Sequence, residues 1–134
     1  MQNLIKYKGK ILATLIKKIP NIYQTKFIGN NHDDMQVCYQ IRKKKEIIGY
    51  HYTELVKNIL IPKKKFLKLL IILKGSVQTN IMSKDKKFKK NFVLKDNSMI
   101  IIYDCFHKFD FLKNTKLIEV KLGRFKLQRK QLLK

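Results

Sequence analysis

The strongest constraint on the fold is an alternation of apolar and polar residues with a period of two. The segment MQVCYQIR at residues 35–42 shows it clearly, because its odd-numbered positions are all apolar and its even-numbered positions are mostly polar. Successive side chains of a strand point to opposite faces, so the pattern predicts a half-buried β-strand rather than a helix.

Similar runs predict strands over most of the remaining chain. Lysine-rich stretches, Pro62, Gly75 and the segments at 95–97 and 113–115 supply turns between them. So many short strands at close spacing predict an all-β sandwich or barrel. The predicted strands are Glu46–Tyr52, Leu55–Ile61, Phe66–Leu73, Ser76–Met82, Phe88–Leu94, Met99–Tyr103, Cys105–Leu112 and Lys116–Leu122.

The two ends of the chain fit more than one structure. The apolar residues between Ile11 and Ile19 would share one face of a helix, although ILATLI also fits a buried strand. The basic tail at residues 124–134 fits a short helix or a frayed end. We predict one domain over residues 1–134, with a core at roughly residues 10–123 and the tail beyond it.

Composition indicates a globular chain without a membrane span. Its 134 residues are enough for one core, and 45 % of them are hydrophobic. The longest apolar runs are far shorter than the roughly 20 residues that cross a bilayer, and Lys6, Lys8 and Lys10 interrupt any signal-peptide core. We expect a soluble, cytoplasmic protein. Cys38 and Cys105 lack the spacing of a zinc site, so two free, buried or half-buried thiols are expected.

The charge of the chain predicts an anionic partner. Lysine and arginine number 31 against nine acidic residues, giving a net charge of +22, and such a field attracts phosphate. Arginine, which makes the bidentate contacts to phosphate and guanine, occurs only at Arg42, Arg124 and Arg129. Lysine, isoleucine and asparagine are abundant together, as AT-rich codons would produce. Nucleic acid is therefore the secondary prediction, after a small anionic ligand.

Several residues of the predicted strands resemble the motifs of the cupin superfamily. In the first cupin motif, two histidines one residue apart precede a glutamate and a glycine. Here His51 in GYHYT stands at the first histidine, Thr53 at the second, Lys68 at the glutamate and Gly75 at the glycine. His107 in IIYDCFHKF stands at the histidine of the second motif.

The last predicted strand extends this resemblance. KLIEVKLGRF, at Lys116–Phe125, is similar to the closing strand of small bacterial cupins encoded with surface-polysaccharide genes. The resemblance implies a cupin-like antiparallel β-barrel, or jelly roll, and a dimer, since cupins are often dimeric. It also implies a role in sugar-nucleotide metabolism.

The metal-binding motifs of this resemblance are degenerate. A cupin metal site uses three imidazoles and a carboxylate, and only His51 and His107 remain as ligands for a divalent ion. Lys68 replaces the anion with a cation, which would repel a divalent metal by several kcal/mol, about 4 per unit charge at 4 Å. No cofactor is therefore expected, with a divalent metal as the alternative.

A metal-free site is the other implication of the resemblance. Cupin-fold epimerases use a histidine base and a tyrosine acid, which makes His51 the candidate base and Tyr52 and Tyr103 the candidate acids. Lys68, with His107 and Gln36, would then bind an anionic ligand. Equally compatible with the sequence are an outward-facing Lys68 and two histidines bonded to backbone.

The sequence thus predicts a cupin-like protein that binds or modifies a small anionic sugar or sugar nucleotide in surface-polysaccharide metabolism. Whether it is an enzyme is left open. The alternatives are a non-catalytic binding or scaffold barrel, and a lysine-rich nucleic-acid-binding or ribosome-associated protein.

Overall fold

The computed structural model describes residues 2–28, 35–51, 54–55, 67–103, 105–122 and 125–126, and the regular structure in these ranges is entirely β-strand. The strands are β1 (Gln2–Tyr7), β2 (Lys10–Ile16), β3 (Lys26–Ile28), β4 (Met35–Arg42), β5 (Ile47–His51), β6 (Glu54–Leu55), β7 (Leu67–Lys74), β8 (Ser76–Met82), β9 (Lys89–Lys95), β10 (Ser98–Ile102), β11 (Phe106–Phe111), β12 (Thr115–Leu122) and β13 (Phe125–Lys126).

Two antiparallel sheets form the body of the fold. The larger has the strand order β10-β7-β12-β4-β3, and the smaller has the order β5-β11-β8-β9. Strands that are distant in sequence lie side by side, which is the arrangement of a jelly roll. The all-β prediction is confirmed. Two further pairs, β1-β2 and β13-β6, stand apart from these sheets.

The predicted strands match the observed ones closely. Met35–Arg42 and Ser76–Met82 have the predicted ends, and the strands between Leu67 and Leu122 otherwise differ by one or two residues. The ambiguous N-terminal segment is a strand and not a helix, because Lys10–Ile16 pairs with β1 in a hairpin. Most of the predicted strand Leu55–Ile61, and most of the tail, lie outside the described residues.

One end of the space between the two sheets is filled with apolar side chains. Leu70, Ile72 and Leu117 of the larger sheet pack against residues of the smaller one, namely Val77, Leu94, Phe109 and Phe111. A void of only about 10 Å³ lies among them and beside Gln40 and Glu119, which is at the lower limit of the volume that one water molecule needs. This half of the interior is a closed core.

The larger sheet is also apolar on its outer face. Tyr39 and Ile118 are buried there under Ile22, which comes from the segment between β2 and β3. Ile71 and Val120 pack against the same cluster and are half-buried. The sheet therefore presents apolar residues on both faces.

The inner face becomes polar toward the other end of the sheets. Strand pairing places Gln36, Lys121, Lys68 and Ile102 in one row across β4, β12, β7 and β10. Because cross-strand partners share a face, and Lys68 is buried, the row points between the sheets. The change from an apolar to a polar interior positions the candidate site.

Gly75 makes the turn between β7 and β8. Its φ is +132°, and a Cβ there would lie 2.7 Å from Thr115 Cα. The Gly75 N–H donates a hydrogen bond of 2.7 Å to Asp96 Oδ1. The position therefore requires glycine both for its backbone conformation and for the close approach of β12.

We expect Gly75→Ala to lower the free energy of unfolding by about 2–3 kcal/mol, because the backbone strain is added to a steric clash. Gly9→Ala is the matched control: its φ is +74°, and nothing lies within 4 Å of its Cβ position. Urea unfolding of both variants measures the difference. Equal losses in the two variants would show that the contact with Thr115 is unimportant.

Candidate functional site

The polar row of the larger sheet faces the part of the smaller sheet that carries His107. On β11, His107 is in register with the backbone of His51 on β5 and with Ile81 on β8. The two sheets meet at Lys68, whose Nζ lies 3.1 Å from His107 Nε2. Residues 39 positions apart in sequence are thus joined across the sandwich.

A buried carboxylate connects two lysines in this cluster. Lys68 is 2 % exposed, and its Nζ lies 3.5 Å from Glu119 Oε2. The other oxygen, Oε1, lies 3.1 Å from Lys121 Nζ. The side chain of Lys121 is 17 % exposed and is the more open of the two lysines. Lys68, His107, Glu119 and Lys121 are called the inner lysine cluster below.

The hydrogen bonds of His107 define its tautomer. Its Nδ1 lies 3.3 Å from the backbone oxygen of Cys105. A carbonyl oxygen can only accept, so Nδ1 carries the proton and donates it. With this tautomer, Nε2 can accept a hydrogen bond from the Lys68 ammonium. The ring is completely buried and lies 5.5 Å from the ring of Phe109.

Burial and neighbouring charges shift the pKa values of Lys68 and Glu119. Burial lowers the pKa of Lys68 to about 8, although the Glu119 carboxylate acts in the opposite direction. Burial alone would raise the pKa of Glu119, but the ammonium groups of Lys68 and Lys121 outweigh it and hold that pKa below its usual value. With both lysines protonated, the cluster has two positive charges and one negative charge.

The two cysteines lie near the cluster as free thiols. Cys38 is buried on β4 beside Glu119, and burial raises the pKa of its thiol. A raised pKa lowers the thiolate population, so Cys38 is a packing residue rather than a nucleophile. Cys105 is half-buried and supplies the carbonyl that orients His107.

The structure brings together some of the predicted site residues. Lys68 and His107 are in direct contact, and Gln36 is half-buried beside Lys121 in the same row. The side chain of Tyr103 is 64 % exposed, so this candidate acid does not join the cluster. The side chain of His51 and the whole of Tyr52 lie outside the described residues.

Sequence reasoning missed Glu119 and Lys121. The resemblance gives the segment KLIEVKLG only as a closing strand. Alternation along this segment places Glu119 and Lys121 on one face of the sheet and Ile118 and Val120 on the opposite face. That pattern was the available signal for a charged pair facing the interior.

The described residues do not fit a metal ion. Across the described ranges, no group of three or more His, Cys, Asp or Glu side chains could hold one. The Nε2 atom that His107 would offer to a metal instead receives the Lys68 ammonium. A divalent ion bonded at about 2.1 Å from that nitrogen would lie against a positive charge.

Comparisons with known proteins find similarity in fold. No family model and no curated protein sequence matches the chain. A conserved protein of unknown function from Streptococcus pyogenes, SPY1581, superposes with a TM-score of 0.56 at 12 % identity. The match covers 74 % of this chain and 72 % of that one.

Two larger proteins are similar over part of their length. Oxalate decarboxylase from Bacillus subtilis, an enzyme with Mn(II) centres, gives a TM-score of 0.57 at 11 % identity, and the coconut allergen cocosin gives 0.56 at 9 %. The matches cover 74 % and 72 % of this chain and 24 % of each of those chains. The protein therefore has a cupin-like jelly-roll fold.

The described part of the chain contains no helix with the length and apolar character needed to cross a membrane.

We expect the burial of Lys68 to give stability a specific dependence on pH. Between pH 8 and 10.5 the unfolded state binds a proton at Lys68 that the folded state has released, so stability rises with pH in this window. As pH rises across this window, the free energy of unfolding of the wild type should increase by at most about 3 kcal/mol more than that of Lys68→Met.

Denaturant unfolding at intervals across this pH window measures the effect. Lys108→Met is the matched control, because Lys108 also lies near a carboxylate, with its Nζ 3.7 Å from Asp110, but is only half-buried. The control should follow the wild-type profile. A wild-type curve parallel to that of Lys68→Met would contradict a buried ammonium at this position.

Proposed function

We propose that the protein binds a small anionic sugar or sugar nucleotide at the polar end of its barrel. The observation that carries this proposal is the inner lysine cluster, in which Lys68 and Lys121 both contact the carboxylate of Glu119. Two ammonium groups held close together offer charge-assisted hydrogen bonds to an anion.

The geometry of the cluster suits a phosphate or carboxylate group. Both lysines are held by Glu119, and Lys68 is held also by His107, so little side-chain entropy is lost when a ligand binds. Lys121 is partly exposed and offers the first contact. Gln36, next to it in the row, provides amide groups for hydroxyl oxygens of a sugar.

The proposed chemistry needs no metal. In a catalytic version of the site, His51 would act as the base toward a sugar whose anionic group is held by Lys68. Its place in the strand register, directly opposite His107, supports this role. The connection with surface-polysaccharide metabolism rests on the resemblance of the segment Lys116–Phe125 alone.

Two other functions remain as alternatives. A non-catalytic scaffold is supported by the closely packed apolar half of the interior, where the void among the core residues is about 10 Å³. Nucleic-acid binding is supported by the net charge of +22.

We expect Lys121→Gln to weaken binding of the anion at least about tenfold, because a charge-assisted hydrogen bond contributes about 1.5–3 kcal/mol. Isothermal titration with inorganic phosphate, UDP and UDP-glucose measures the affinity and ranks the three probes. The control is Lys108→Gln, which removes a lysine paired with Asp110 and changes net charge equally. It should leave affinity unchanged.

The alternatives give different results. If no probe binds the wild type, or if both variants lose affinity equally, the proposed site is wrong. Binding of single-stranded RNA that falls by about a thousandfold between 50 and 200 mM salt, and that survives Lys121→Gln, would instead favour the nucleic-acid function.

A further inference from the structure

A groove of about 340 Å³ lies between the outer face of the larger sheet and the segment that connects β2 and β3. This volume is at the lower end of the roughly 300–1,000 Å³ that small-molecule sites occupy. Tyr39 and Ile118 belong to the outer face, whereas Lys68 and Glu119 point to the inner one. The sheet itself therefore separates the groove from the inner lysine cluster.

The connecting segment is held in place by contacts with the sheet. Ile22 is 4 % exposed and packs on Tyr39 and Ile118. Further along the segment, the Ile41 N–H donates a hydrogen bond of 3.4 Å to Thr25 Oγ1. Both sides of the groove are thus fixed before a ligand arrives, which lowers the entropy that binding costs.

The lining of the groove is rich in ring surfaces. Pro20 and Tyr23 contribute from the connecting segment, and Tyr39 contributes from the sheet. Tyr23 is 81 % exposed, so its ring is open to contact with a ligand. Aromatic rings pack favourably on one another, and a rigid ring loses less conformational entropy on binding than a flexible chain does. A compact groove of this kind suits a planar ligand.

The groove also has a positive rim. Lys26 is exposed, and it is the one charged side chain among the described residues that line the groove. Lys116 lies on the same face of the sheet, with its Nζ 6.0 Å from the centre of the Tyr23 ring. Its cross-strand partner, Lys74, is exposed as well. A ligand that enters here meets ammonium groups at the edge and apolar atoms beneath.

We propose that this groove binds a planar aromatic carboxylate of about two fused rings. The rings lie against Ile28 and Tyr39, and the carboxylate accepts a charge-assisted hydrogen bond from Lys26. The side-chain amides of Asn21 and Gln24 offer hydrogen bonds to polar ring substituents. A neutral ring makes only the apolar contact and an inorganic anion makes only the ionic one, so the groove selects compounds that combine the two.

Isothermal titration of the full chain with 2-naphthoate and 2-naphthamide tests the proposal. The two compounds have nearly the same shape, but only 2-naphthoate is charged. We expect one equivalent of 2-naphthoate to bind at least about tenfold more tightly than 2-naphthamide. The titrations are made at about 150 mM salt, which screens long-range attraction to the net charge. Inorganic phosphate should not compete, because it has no ring.

Two substitutions separate the ionic contact from the apolar one. Lys26→Gln should reduce the affinity for 2-naphthoate to about that for 2-naphthamide, because it removes the ammonium group that pairs with the carboxylate. Gln24→Trp places a large ring in the groove and should abolish binding of both compounds. Both positions are exposed, and circular dichroism would confirm that the variants remain folded.

Two control variants remove a lysine elsewhere. Lys95→Gln changes an exposed lysine on β9, in the smaller sheet, and Lys121→Gln changes the inner lysine cluster. Both should bind 2-naphthoate as the wild type does. Because Lys121→Gln alters only the site proposed for sugars, either site can fail its test without the other. The proposal is overturned by equal affinities for the two compounds, by a lack of saturable binding, or by a loss in either control that equals the loss in Lys26→Gln.

A second measurement locates the ligand without a variant. In isotope-filtered NMR spectra, the ring protons of bound 2-naphthoate should show nuclear Overhauser effects to the methyl groups of Ile22 and Ile28. Contacts with Ile102, which pairs with Lys68 in the polar row, would instead place the compound between the sheets and contradict the proposal. Binding that weakens as the protein concentration rises would show that a second copy of the chain occupies the groove, which also contradicts it.

Discussion

The interior of this protein depends on how the charge of Lys68 is accommodated. An unpaired ammonium between two sheets would cost several kcal/mol, so its burial requires a compensating group. Glu119 supplies the negative charge and His107 supplies a hydrogen-bond acceptor on the facing sheet. The polar end of the barrel is therefore a bonded unit that links the two sheets, and its residues cannot change independently.

This unit also sets the charge at the polar end of the interior. A cupin-like interior with a carboxylate at the position of Lys68 would favour a cation, whereas the ammonium reverses the sign of the field. Glu119 comes from another strand and contacts both lysines. The fold resembles that of oxalate decarboxylase, a protein with Mn(II) centres, whereas the described residues of this chain contain no cluster that fits a metal ion.

The outer face of the same sheet is only partly covered, and some of its apolar side chains are exposed. Ile22 shields the centre of that face over Tyr39 and Ile118, but the edge strand β10 leaves Met99 and Ile101 open to solvent. The hairpin of β1 and β2 likewise exposes apolar side chains on both of its sides.

The sequence by itself determined the strands, because alternation is a local property that a strand must satisfy wherever it lies. Met35–Arg42 is a strand as predicted, and Gly75 stands at the turn that requires it. Alternation could not decide the direction of Lys68, since FLKLLIIL is apolar on both sides of the lysine, and it could not decide whether ILATLI is helix or strand. Tertiary structure decided both. Pairing with β1 makes ILATLI a strand. Glu119 and His107, which are distant from Lys68 in sequence, stabilise its inward position because their contacts replace the hydration that burial removes.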